Sequence, residues 1–163
     1  MDAERAVLAA CLHSPTALDT AGGMLGAEDF ASPAHGLVWA AMLALRQEDC
    51  PVDPVMVTHQ LRRQGVLHQA GGPAYVSGLA SAVHSVAAVD HYAAIVAEQA
   101  WSARLHALGK WLIQATVHGH DPAEVQTEAV NRLSALAAGR SLSGGCPRPE
   151  VAVVRPLHRR PAS

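Results

Sequence analysis

Aromatic residues are scarce, with three tryptophans, two tyrosines and one phenylalanine in 163 residues. A β-sandwich core, which draws on aromatic and β-branched side chains, is hard to build from that stock. The 50% of hydrophobic residues must come largely from alanine, leucine and valine, which suit closely packed helices. Period-two alternation is missing as well. The one strand-like stretch, Val151–Val154, is too short and isolated to found a sheet. Cysteine is rare: Cys11, Cys50 and Cys146 are an odd number without metal-ligand spacing, and read as free thiols in a reducing compartment. No uninterrupted apolar run approaches membrane-spanning length. Asp2 and Glu4 stand where a signal peptide would carry positive charge. These absences point to a cytoplasmic location.

Catalytic patterns are also lacking. A phosphate-binding loop needs glycines that expose backbone amides, followed by lysine and a hydroxyl residue. Gly109-Lys110 has neither the upstream glycine nor the hydroxyl, and reads as a helix glycine at a close contact. Gly22, Gly23 and Gly26 have no lysine and read as a helix end and turn. Among ten histidines, His118 and His120 are closest together, but a zinc site needs three or four convergent ligands and no second cluster is visible. Cys11 falls on an apolar helix face, where a thiol is an inert core residue. Asp2, Glu4, Glu28 and Asp29 read as helix-start or turn residues, and Arg62 and Arg63 as cations at a helix C-terminus. The expectation is a chain with no catalytic residue, no cofactor and no metal.

Charge, by contrast, is informative. Residues 1–138 hold seven Lys and Arg against thirteen Asp and Glu, a net of −6, while residues 139–163 hold five Arg and one Glu, a net of +4. An acidic body repels phosphate, so the folded part should bind nucleic acid weakly if at all. The basic remainder, with Gly144-Gly145 and Pro147, Pro149, Pro156 and Pro161, reads as a flexible tail.

Helix punctuation is the strongest local signal. Ser14-Pro15, Ser32-Pro33, Asp53-Pro54 and Asp121-Pro122 each place a capping side chain before a proline whose φ is preset for the first helical turn. Gly72-Pro73 predicts a further start, and Gly26, Gly65 and Gly139 predict ends. Apolar residues recur at helical spacing along Ala3, Ala6, Val7, Ala10 and Cys11, along Leu37, Val38, Ala41, Met42 and Leu45, and over a long run from about Val86 to Val117. From Trp101 on, the pattern predicts a helical hairpin. Trp101, Leu105, Leu108 and Leu112 follow one stripe, and Val125, Ala129, Leu133 and Leu136 follow another across the turn at His118-Gly119-His120-Asp121. The predicted architecture is all-α: a compact helical bundle over 1–100, an antiparallel hairpin over 101–138 and a tail over 139–163.

Several segments, in order, resemble the N-terminal domain of DnaB-type replicative DNA helicases. Ala3-Glu4-Arg5-Ala6-Val7-Leu8 resembles the opening A-E-x-A-V-L of that family. Glu28-Asp29-Phe30 with His35, Pro51-Val52-Asp53 with Leu61, Gly71-Gly72 with Tyr75, and Ser85 through Tyr92-Ala93-Ala94-Ile95-Val96 are similar to further family segments. His84 departs from the family's usual proline. The resemblance covers about residues 2–138. It implies the collar of the helicase without its RecA-like ATPase: a protein-interaction module in DNA replication that assembles as a dimer or higher oligomer through the hairpin. Its implied partners are the replicative helicase, primase or a helicase loader. Carried onto this sequence, the interface residues would be Trp101, Leu105, Leu108, Leu112, Val125, Leu133 and Leu136. The alternative is a small DNA-binding regulator that uses the basic tail.

Overall fold

A computed structural model describes residues 3–81 and 85–142, with side-chain surroundings up to residue 137. The described residues form seven α-helices: α1 (Ala3–His13), α2 (Pro15–Gly22), α3 (Pro33–Gln47), α4 (Pro54–Arg63), α5 (Gly72–Ser81), α6 (Val89–Val117) and α7 (Pro122–Leu142). Short 3-10 turns at Ala27–Asp29 and Val86–Ala88 precede α3 and α6. The molecule is all-α.

Each cap-proline pair opens a helix. The Ser14 hydroxyl accepts from the Ala17 amide at 3.3 Å, and one Asp53 oxygen accepts from the Val55 and Met56 amides, each at 2.8 Å. Asp121 accepts from the Ala123 amide at 3.1 Å. Ser32 departs from the pattern: its side chain makes no capping bond, although α3 still begins at Pro33. The Ser32 amide instead points at the Glu4 carboxylate, so tertiary packing has taken over the corner. Gly65 ends α4 as expected, with a left-handed φ of 73° that closes two backbone bonds, to Arg62 and Leu61. Gly26 does not end a helix. It precedes the 3-10 turn and donates its amide to Asp29 at 2.7 Å. Gly139 lies inside α7, which runs on to Leu142, because one helix glycine costs only about 1 kcal/mol against continued backbone bonding. The stretch expected to be a tail beyond Leu142, with Val151–Val154 and Cys146, lies outside the described residues.

The hydrophobic core is organised around α1. Its spacing suggests a one-sided stripe, yet Ala6 through Leu12 are all buried, because α2, α3, α5 and α6 each pack against it. Trp39 of α3 is fully buried and donates its indole N–H to the Leu25 carbonyl at 3.3 Å. Alongside it, Gly36 has no room for a side chain, since a Cβ there would stand 2.7 Å from the Ala27 carbonyl oxygen.

A charged group is sealed into this core. Glu4, only 7% exposed, accepts bonds from the Ala31 amide at 2.7 Å and the Ser32 amide at 3.4 Å, and pairs with His35 Nδ1 at 2.5 Å. The other ring nitrogen of His35 lies 2.6 Å from the Tyr75 hydroxyl. With Nδ1–H donating to the carboxylate, Nε2 of the neutral ring accepts from Tyr75, while the Nε2–H of the charged ring would donate to it. The chain of bonds is therefore satisfied in either state. It ties α1, the entry to α3, and α5 together. Buried ions persist only when paired in this way.

Candidate protein interface on the helical hairpin

The hairpin begins where α6 leaves the body. Val89, Ala93, Val96 and Ala100 are buried, and α6 packs against α1, α2 and the first 3-10 turn. Arg104 donates to Asp29 of that turn at 2.7 Å, fixing the point of departure. The C-terminal part of α6 packs against α7. The turn between them is set by Gly119, whose φ of 72° lets its own amide reach the Thr116 carbonyl and the His120 amide reach that of Ala115. His118 and His120 sit exposed on this turn. No group of three or more metal-binding side chains converges among the described residues.

The seven residues singled out from sequence fall into three environments. Leu108 and Val125 are buried, as is Ala115, on two arms that pack against each other. Trp101, Leu112 and Leu136 are half-buried. Leu105 and Leu133 are exposed, at 39% and 47%. The stripes were too wide for one neighbour: residues at i, i+4, i+7 and i+11 spread over an arc, and a single packed helix covers only its middle.

Three exposed apolar residues were missed. Val130 is 56% exposed and stands three residues before Leu133, on the same side of α7. Ile113 and Val117 form an exposed pair one turn apart near the end of α6. Ile113 shares a shallow groove of about 490 Å³ with Lys110, Trp111 and Gln114. Their positions off the main stripe hid them; only a count of apolar residues outside the buried arc would have found them. On the flank of Trp111, the Arg132 guanidinium lies 4.1 Å from the ring centroid and donates to Glu128 at 2.7 Å, which sets a charged pair beside the ring.

Gly109 was expected at a close contact. Nothing stands within 4 Å of a Cβ built there. Its spacing from Leu105 and Leu112, four and three residues away, puts it on the flank that carries them. Within one chain, then, the apolar flank of α6 has an open notch at its middle.

The core thiol conforms to expectation. Cys11 is 1% exposed and burial pushes its thiol up to about 12, the opposite of what a nucleophile needs. Among the described residues no single helix is long and apolar enough to cross a membrane.

Comparison with known proteins gives the family. The family model for the DnaB-like helicase N-terminal domain matches residues 1–98. The replicative DNA helicase DnaB of Geobacillus stearothermophilus is 35% identical over 144 residues, 88% of this chain and 32% of that protein. The corresponding helicase of Mycobacterium leprae is 38% identical over 133 residues, 82% of this chain and 22% of its own length. The chain thus spans about a third or less of these relatives. The crystal structure of the N-terminal domain of DnaB helicase from Mycobacterium tuberculosis superposes with a TM-score of 0.77 at 36% identity, covering 82% of this chain and 95% of that one. A DnaB-like replicative helicase studied for its interactions with primase shares the fold, at a TM-score of 0.64 and 23% identity. With 95% of a solved DnaB N-terminal domain covered and the same all-α fold, the chain belongs to the DnaB-like helicase N-terminal domain family.

Proposed function

We propose that this chain is a protein-interaction module of the DNA replication machinery, acting as a helicase collar and carrying no motor within its 163 residues. The observation that carries the reading is the apolar hairpin face. Leu105, Val130 and Leu133 remain exposed in a single chain, Trp101, Leu112 and Leu136 edge them, and Gly109 leaves room for a second helix to approach closely. Such residues gain most when another surface removes them from water, at about 25 cal/mol per Å². A second copy presenting the same face is the partner of choice, since self-complementary patches make two-fold dimers. Leu108 and Val125 serve the pairing indirectly, by holding the arms in register.

Beyond the dimer, the module would dock primase, a helicase loader or the collar of the full helicase. The structural relative known for its interactions with primase makes primase the first partner to test. Nucleic acid is a poor partner for a body of net charge −6.

The test is light scattering coupled to size exclusion, with a pull-down of the host primase and helicase. Wild type is expected to be dimeric or larger and to retain at least one of them. Val130→Asp with Leu133→Asp, both at exposed positions, should leave the helical spectrum intact and lower the molar mass toward the monomer. A wild-type monomer that captures neither protein overturns the proposal.

A further inference from the structure

Three of the seven lysines and arginines whose side chains are described are held by carboxylates. Arg46 is held by both Asp19 oxygens at 2.8 Å, Arg104 by Asp29 at 2.7 Å, and Arg132 by Glu128 at 2.7 Å. Of the other four, Arg5, Lys110, Arg62 and Arg63, the last two are adjacent to each other, in the last turn of α4. Both are exposed, and neither has a carboxylate partner among the described residues. His59 is exposed one turn earlier, and Val55 another turn earlier is 76% exposed. Spacings of four and three residues place Val55, His59 and Arg62 in one line, with Arg63 at its edge. Val57 and Leu61, on the other side of α4, are fully buried. The helix therefore shows solvent a stripe that is apolar at its start and cationic at its end, on a body that is otherwise acidic.

The favourable placement of cations at a helix C-terminus accounts for part of this. It gives no reason for an exposed valine in the same line. The composite matches one kind of ligand: a segment whose carboxylates take Arg62 and Arg63, with guanidinium geometry suited to bidentate pairing, and whose apolar residue covers Val55. Duplex phosphates would use the arginines and leave the valine uncovered. Two or three cations also neutralise too few phosphates to overcome the charge of the body. The basic stretch beyond residue 142 is repelled from the stripe by its own charge.

We propose that the exposed face of α4, made of Val55, His59, Arg62 and Arg63, docks an acidic amphipathic segment of a partner protein. This face goes beyond the hairpin reading: α4 packs against α3 and α5, whereas the proposed pairing surface lies on α6 and α7.

The full chain is titrated against a fluorescein-labelled synthetic peptide of about twenty residues with Glu and Leu at helical spacing, read by anisotropy at low and at raised salt. The expected result is saturable binding that weakens with salt. It should weaken about tenfold in Arg62→Glu/Arg63→Glu and less in Val55→Ser. A matching Lys and Leu peptide should show the reverse preference, favouring the charge-reversed variant. Val130→Asp/Leu133→Asp should bind the acidic peptide like wild type, which separates this face from the hairpin. Equal affinity of wild type and the charge-reversed variant for the acidic peptide overturns the proposal. So does tighter binding of labelled duplex DNA that is lost in that variant, which would mark a phosphate site. A fall in molar mass on charge reversal without any peptide also overturns it, because the face would then join copies of the chain.

Discussion

Glu4 brings a carboxylate into the core, where its oxygens are met by two backbone amides and an imidazole. Removing the charge while keeping the shape is therefore costly. Glu4→Gln should destabilise the fold by about 2–4 kcal/mol, since it breaks charge-assisted bonds and leaves buried donors poorly matched. Tyr75→Phe, at the half-exposed end of the same chain of bonds, should cost only about 1 kcal/mol. Urea denaturation of the two variants checks the order; equal losses would show that the carboxylate is not the anchor. Cys11 gives a pH signature. Its thiol ionises at about 12 in the fold and at 9.0 unfolded, so above pH 9 the unfolded chain releases the proton first. The stabilisation is complete below pH 9 and falls as pH rises toward 12, by up to about 1.4 kcal/mol per unit. Cys11→Ala should flatten that alkaline decline, as thermal melts between pH 8.5 and 10.5 would show. At neutral pH, alkylation should mark half-buried Cys50 before Cys11.

At the level of elements, Gly109 makes a two-sided prediction. It lies within α6, no backbone strain requires a glycine, and a Cβ there meets nothing. Gly109→Ala should stabilise the isolated chain by about 1 kcal/mol. If a second helix approaches at that notch, the same change should weaken self-association. Chemical denaturation at low concentration and sedimentation across a concentration series read the two effects separately; unchanged association would remove Gly109 from the pairing surface. The helices themselves were legible because their starts are local. A serine or aspartate before proline needs only the next three residues to act, and Asp53 does so with two bonds. Ser32 shows the limit: its amide is drawn to Glu4, 28 residues away in sequence, and no local pattern contains that partner.

For the whole molecule, the decisive property is an apolar face left uncovered on a chain that represents about a third or less of its curated relatives. The purified chain should hydrolyse no ATP above background, because its sequence holds no lysine-bearing phosphate loop. A phosphate-release assay checks this, and turnover that co-elutes with the chain and survives repurification would contradict it. The sequence alone determined the all-α class, the helix starts and the family segments, since caps, prolines and apolar spacing act over a few residues. Tertiary structure decided the rest: that Ala6 through Leu12 of α1 are all buried, that Glu4, at a helix start as expected, is also a buried anchor, and that Leu108 is covered while Leu105 is exposed. It also showed that Arg62 and Arg63 have no carboxylate partner among the described residues. These depend on how each helix is rotated against neighbours far away in the chain, as when Arg104 meets Asp29 across 75 residues, and that rotation is set by packing the whole core at once.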